Sequence, residues 1–155
     1  SFGYHLALGP DADAVLERVV SASSRRKMRK KERNLAEIAP VSFSVARDPA
    51  EIARFTDTFL SYKAQRFAEL GIANVFGVPG MREFIIDAAS GPEPAIELCA
   101  LKVGDEIVAL FGGCIANGRY SGMFNAMAPG DVQHESPGEL LLHHLIRHCC
   151  TRSLT

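Results

Sequence analysis

The chain has 155 residues, 47% of them hydrophobic and 23% charged, which is the balance of one soluble globular domain able to bury a sizeable core. No apolar run approaches the ~18 residues of a membrane span, and Ser1-Phe2-Gly3-Tyr4-His5 lacks the basic start and apolar block of a secretion signal. The four cysteines, two of them adjacent (Cys149, Cys150), form no disulfide framework and suit reduced thiols in a cytoplasmic protein. The net charge of −1 hides an asymmetry: seven of the nine residues 25–33 are basic, out of seventeen Lys and Arg, so the rest of the chain is acidic on balance. The first residue is Ser rather than Met, as in a processed chain or an excised fragment.

Residues 11–20 read as a helix, with apolar side chains at 12, 15, 16, 19 and 20. Ser21 to Ser24 break it or cap the next helix, the basic run continuing through NLAEIA to Pro40. That second helix has few apolar residues (Met28, Leu35, Ala36, Ile38, Ala39) and is expected to be mostly solvated. Val41-Ser42-Phe43-Ser44-Val45 alternates as a strand does. Asp48-Pro49-Ala50-Glu51 combines an N-cap, Pro at the first position and Glu at the third, and opens a long helix that Gly71 closes. Phe59, Tyr62, Phe67 and Leu70 have the spacing to pack it. After the loop IANVFGVP a short helix runs from about Met81 to Ala89. Three strands follow, Ala95–Val103, Ile107–Ala116 and Arg119–Met127, joined at Gly104-Asp105 and at the hairpin signal Asn117-Gly118. A final helix covers about Pro137 to Thr151.

This order predicts an α+β domain with helices on an antiparallel meander sheet, a single domain over 1–155 with a basic helical segment (1–39) and a core (40–155). Ser136-Pro137-Gly138-Glu139 has the pattern of a capping box, Ser as N-cap and Glu at the third position. Gly138 also leaves the first backbone N–H groups open to an anion. His144 and His148 are four apart, yet no HExxH pattern or convergent carboxylates accompany them, and Leu141, Leu145 and Cys149 form a separate apolar stripe. No metal is expected. The basic helix suits a solvated face that also docks something anionic; with no aromatic between Tyr4 and Phe43, nucleic acid is a poor fit.

Five stretches in order, RRKMRKKERNLAE, YKAQRFAELG, ELCALKVGDEIVALFGG, GRYSGMFNAM and SPGELLLHHLI, resemble the CelD-type branch of the GNAT acyltransferase superfamily, named for a cellulose-biosynthesis protein and related to the FemAB aminoacyltransferases. The resemblance spans roughly residues 24–152. It implies a GNAT-like fold and an N-acyltransferase that moves an acyl group from acetyl-CoA or another acyl-CoA to a small-molecule or cell-envelope amine. It implies that Arg119–Met127 is the strand where the thioester lies, with the pyrophosphate at the start of the next helix, so that Ser136, Pro137, Gly138 and Glu139 become the cofactor corner. Tyr120, Asn125 and His134 become catalytic candidates, and Lys63 and Arg66 acceptor-binding candidates on the long helix.

On strict alternation, Tyr120, Gly122, Phe124 and Ala126 share one face of their strand, unless a bulge intervenes. Asn125 stands out as an amide in an apolar strand, which a buried position would have to pair. The sequence departs from the family pattern twice. The signature Arg or Gln, two residues, Gly, one residue, Gly or Ala is absent, and the chain stops where the fold usually continues. A partner chain or a homo-oligomer completing the fold is one expectation; a non-catalytic assembly module in a polysaccharide-synthesis complex is the alternative to an enzyme.

Overall fold

The computed structural model describes residues 5–154; residues 1–4, on which most of the reading of the N-terminal start rests, lie outside the described residues. Helix α1 (Ala12–Val19) is capped by Asp11, whose carboxylate accepts from the Asp13 and Ala14 amides. Ser21 breaks the chain and caps α2 (Ala22–Ile38), its hydroxyl accepting from the Ser24 amide at 3.2 Å. The strand β1 (Val41–Val45) leads to α3 (Pro49–Leu70), which begins as its sequence dictates: Asp48 accepts from the Glu51 amide at 2.9 Å, Pro49 fills the first turn, and Gly71 ends the helix at φ 67°. Then come α4 (Met81–Ala89), the meander β2 (Ile96–Val103), β3 (Glu106–Ala116) and β4 (Arg119–Met127), a 3₁₀ turn (Asp131–Glu135) and α5 (Pro137–Thr151).

The four strands form one antiparallel sheet in the order β1-β2-β3-β4, with β4 at the outer edge. Asn117 (φ 53°) and Gly118 (φ 70°) turn the last hairpin in the left-handed conformation that only Asn, Asp or Gly enter cheaply. Alternation divides the sheet between two cores. Cys99, Leu101 and Val103 point to α2 and α5, where they meet Met28, Leu35, Leu141 and Leu145. Leu98, Ala100 and Leu110 point to α3 and α4, where they meet Ile52, Phe55, Phe59 and Ile85.

One expectation about packing fails. Leu70 is 51% exposed on the last turn of α3, where Phe67 packs on Phe76 instead. The second helix is mostly solvated, as expected, and is held to the body by two apolar side chains. Met28 and Leu35, seven residues apart, are both buried under it, while its C-terminal Ile38 is 76% exposed.

The outer strand carries a bulge. Gly112 pairs with Phe124 and Gly113 with Gly122, leaving Met123 as the extra residue of β4. The glycines here make room for aromatic rings: a Cβ on Gly112 would meet the Phe124 ring at 2.3 Å, and one on Gly113 the Tyr120 ring at 2.4 Å. Tyr120 and Phe124 therefore lie on opposite faces, Tyr120 with the α5 core and Phe124 with the α3 core. The strict alternation expected for residues 120–126 is broken because Met123 consumes one step of the pleat.

Candidate functional site

The bulged edge of β4 runs directly into the start of α5. Asn125 pairs with Phe111 of β3 and so faces the α5 side, followed on that face by Met127. Met127 packs on the helix start: a Cβ on Gly138 would lie 2.8 Å from its sulfur. Gly138 thus lets the Met127 side chain lie close against the helix start, although this flexible, exposed side chain could move aside for a Cβ. Asn125 is exposed, as are Met123 and Met127. The outer strand leaves this amide open to solvent at the mouth of the corner, so it needs no buried partner.

The helix start departs from the capping box. Ser136 adopts a left-handed conformation (φ 50°, ψ 55°) and its side chain caps no backbone amide. Its hydroxyl instead accepts a 2.6 Å hydrogen bond from Lys31 Nζ of α2. A local pattern has yielded to a tertiary contact, and the first-turn N–H groups of α5 keep no side-chain partner. Pro137 is buried, Gly138 half-buried and Glu139 exposed. Beside them Glu135 is held by Asn34 Nδ2 at 3.3 and 3.5 Å, while His134 is exposed on the 3₁₀ turn. The corner therefore holds a helix N-terminus, a lysine and a carboxamide (Asn125), a combination suited to a phosphate or a polarised carbonyl oxygen.

Lys31 and Asn34 were not singled out from sequence. The excess of basic residues in 25–33 was visible, but which of them turn inward depends on contacts with residues more than a hundred positions away.

Tyr120 lies under α5 with its hydroxyl buried and without a hydrogen-bond partner. Burial, with the neighbouring thiols and Glu97 adding to it, pushes its phenol far above the ordinary range, so it stays protonated at any physiological pH. The acceptor candidates sit on the opposite face. Lys63 Nζ lies over the rings of Phe67 (5.7 Å) and Phe76 (5.8 Å), and burial lowers its pKa. Arg66 is exposed and pairs with Glu69 at 3.7 Å. Beside Lys63 is an open groove of about 290 Å3 lined by Leu60, Ala64, Phe76, Val78 and Met81. The sequence-predicted residues thus form two groups on the two sides of the sheet, and β4 is packed by α3 on one side and by α5 on the other.

Two of the three histidines of α5 are individually engaged. His144 Nε2 is 2.6 Å from Glu32 and its ring stacks on Phe43, while His148 meets Arg152 at 3.3 Å. Among the described residues no three His, Cys, Asp or Glu side chains converge as a metal site would require. Nor is any described helix long and apolar enough to cross a membrane.

A family model described as an acetyltransferase (GNAT) domain matches residues 22–155. No curated protein matches the chain.

Proposed function

From a chain that belongs to the GNAT acetyltransferase family, we propose an acyl-CoA-dependent N-acyltransferase of the CelD-type branch, cytoplasmic, acting on an amine acceptor. The observation that carries this reading is the junction of β4 and α5. An exposed, bulged edge strand delivers Asn125 and Met127 to a helix start whose N–H groups no side chain caps. The residues present fit an acyl-CoA there. The backbone of Gly138 and Glu139, with Lys31 beside Ser136, takes the pyrophosphate; Lys31 supplies the cation that the missing signature Arg or Gln does not. Glu135, tied down by Asn34, is kept from competing for the same donors.

In this reading the neutral amine attacks the thioester carbonyl carbon. A C–N bond forms, the C–S bond breaks, and the proton lost by the amine passes through a base to the leaving thiolate, so that CoA departs as the thiol. Backbone N–H groups on the edge of β4 and the Asn125 amide hold the carbonyl oxygen as charge builds on it. His134, exposed on the adjoining turn, is the candidate base. Tyr120, held protonated, is a hydrogen-bond donor and not a base. Lys63 and Arg66 meet the acceptor from the α3 side.

The test is titration of acetyl-CoA into the purified chain with melting temperature as readout, since a ligand that binds only the native state must raise it. The expected outcome is a saturable rise with free thiol released on adding a panel of amines. No shift at millimolar acetyl-CoA would sink the reading. A shift without thiol release from any amine would favour the non-catalytic assembly module instead.

A further inference from the structure

The outward face of α2 has no part in the corner just described. Arg26, Lys30 and Arg33 follow one another at i, i+4 and i+7, flanked by Lys27 and Arg29, and all five are exposed. The three central cations span about 10 Å of helix axis. Among the described residues none of the five pairs with a carboxylate. Of the helix's two acids, Glu32 is turned inward onto His144, and Glu37 lies a turn beyond Arg33.

The inner face is fixed to the body by buried Met28 and Leu35, by Lys31 on Ser136 and by Asn34 on Glu135. The cations are therefore carried on a rigid rail. Five like charges on one face repel one another and weaken the free chain; an anionic surface relieves that repulsion. The chemistry required is a dense array of phosphates.

Two features choose among polyanions. No aromatic side chain lies on the exposed face of α2, and its one amide, Asn34, is committed to Glu135, so neither stacking on an aromatic ring nor amide readout of a base edge is available. The stripe runs on to Glu37, and beside it, at the C-terminal end of α2 on the row of Lys27, stands Ile38, the most exposed large apolar side chain among the described residues at 76%. A nucleic acid offers it nothing, whereas the headgroup boundary of a bilayer accepts an apolar side chain beside basic ones.

We propose that the outward face of α2 docks the protein on an anionic phospholipid bilayer, Arg26, Lys27, Arg29, Lys30 and Arg33 meeting headgroup phosphates and Ile38 entering the interface. Because α2 also bears Lys31 and Asn34, docking sets the β4–α5 corner close to the lipid surface. The inference stands on the helix alone and survives failure of the acyltransfer reading.

The test sediments the full chain with phosphatidylcholine vesicles and with vesicles containing about one-third phosphatidylserine, at low and high salt, with a DNA duplex run in parallel. The chain is expected to bind anionic vesicles at least tenfold better than neutral ones, and to be released by roughly 0.5 M salt, where the screening length falls to a few ångströms. The triple reversal R26E/K30E/R33E is expected to cost about a hundredfold in vesicle binding, from about fivefold per lost cation. Its melting temperature should not fall, since the three side chains are exposed and form no ion pair, and their reversal relieves like-charge repulsion. Ile38→Ser is expected to weaken vesicle binding several-fold and leave any DNA binding unchanged. Equal binding to neutral and anionic vesicles, or none to either, overturns the proposal. Tighter binding to DNA than to anionic vesicles overturns it in favour of nucleic acid. Should the triple variant melt early, the salt series on the unaltered chain still decides.

Discussion

The two faces of the sheet are held by different forces. Under α3 and α4 the packing is apolar and aromatic: Phe59 lies against Phe76 at 5.1 Å and Phe124 at 4.6 Å between ring centroids, and Phe55 is fully buried. Under α2 and α5 an apolar centre is ringed by polar contacts. These are Lys31 with Ser136, Glu32 with His144, and the nearly buried Glu97 with Arg47 (3.0 Å) and Arg152 (2.6 Å). Dispersion and hydrophobic burial do not depend on pH or bound anions, while charged contacts do. One face is thus a fixed scaffold, and the other, which carries the β4–α5 corner, can respond to ligand and proton.

The largest loss of stability is expected from Phe59→Ala. Removing a side chain 1% exposed from the centre of the aromatic cluster is expected to cost about 3–5 kcal/mol, read as a lower denaturation midpoint. An effect under about 1 kcal/mol would mean the cluster is loosely packed and the scaffold lies elsewhere. On the other face Glu97→Ala is expected to cost about 2 kcal/mol, less than a fully buried ion pair, because Arg47 and Arg152 keep 57% and 33% of their side-chain surface exposed and can rehydrate. Limited proteolysis of this variant should first attack the C-terminal turn of α5, which Arg152 ties to the sheet.

Much of this architecture was legible from local chemistry. Asp48, Pro49 and Gly71 bound α3, Asn117-Gly118 turns the hairpin, and Leu141, Leu145 and Cys149 are buried together, because each signal acts within a few residues. The corner was legible only as a position, a strand feeding a helix that starts Ser-Pro-Gly. Its particulars depended on contacts across the fold. Lys31 captures the hydroxyl that the local pattern assigns to a cap, Met123 forms a bulge with no sequence mark beyond the neighbouring Gly122, and Asn125 stays exposed because β4 is outermost. Sequence periodicity places Met28 and Leu35 on one face of α2 but cannot say that Lys31 and Asn34, flanking them, reach the start of α5.

The proton response of the polar face follows from His143 and His148. Burial first, and then nearby cations (Arg147 for His143, Arg152 and Arg47 for His148), lower both below the ordinary histidine value of 6.5, although Glu139 and Glu97 pull the other way. With the folded value below the unfolded one, the unfolded chain takes up protons first as pH falls. This contribution to stability is complete above about pH 6.5 and is lost progressively below it, until the folded histidines titrate in turn. Melting temperature should therefore decline between pH 7 and 5, and His148→Gln should flatten that decline. A decline unchanged in H148Q and in H143Q would assign the acid sensitivity to other groups. The thiols on this face give a companion readout: burial pushes Cys99 up to about 12 and Cys149 up to about 11, so both should resist alkylation until the chain unfolds.

The smallest effect on stability is expected where the effect on ligand binding is largest. Lys31→Met keeps the aliphatic stem of a half-buried side chain and removes one partly solvated hydrogen bond to Ser136, a change within about 1 kcal/mol. If the α2–α5 contact is only a structural clasp, acetyl-CoA should raise the melting temperature of K31M as much as that of the parent chain. If Lys31 stands in for the absent signature residue, the variant should lose about tenfold in acetyl-CoA affinity while keeping its affinity for CoA analogues without the pyrophosphate. Asn125→Ala separates the two ends of the same corner. It touches no cap and no buried partner, so its binding of CoA should be unchanged while transfer slows by about a hundredfold, the loss typical of one oxyanion donor. A slow K31M with normal affinity and a weak-binding N125A would reverse these assignments and place the thioester at the helix start and the phosphates along β4.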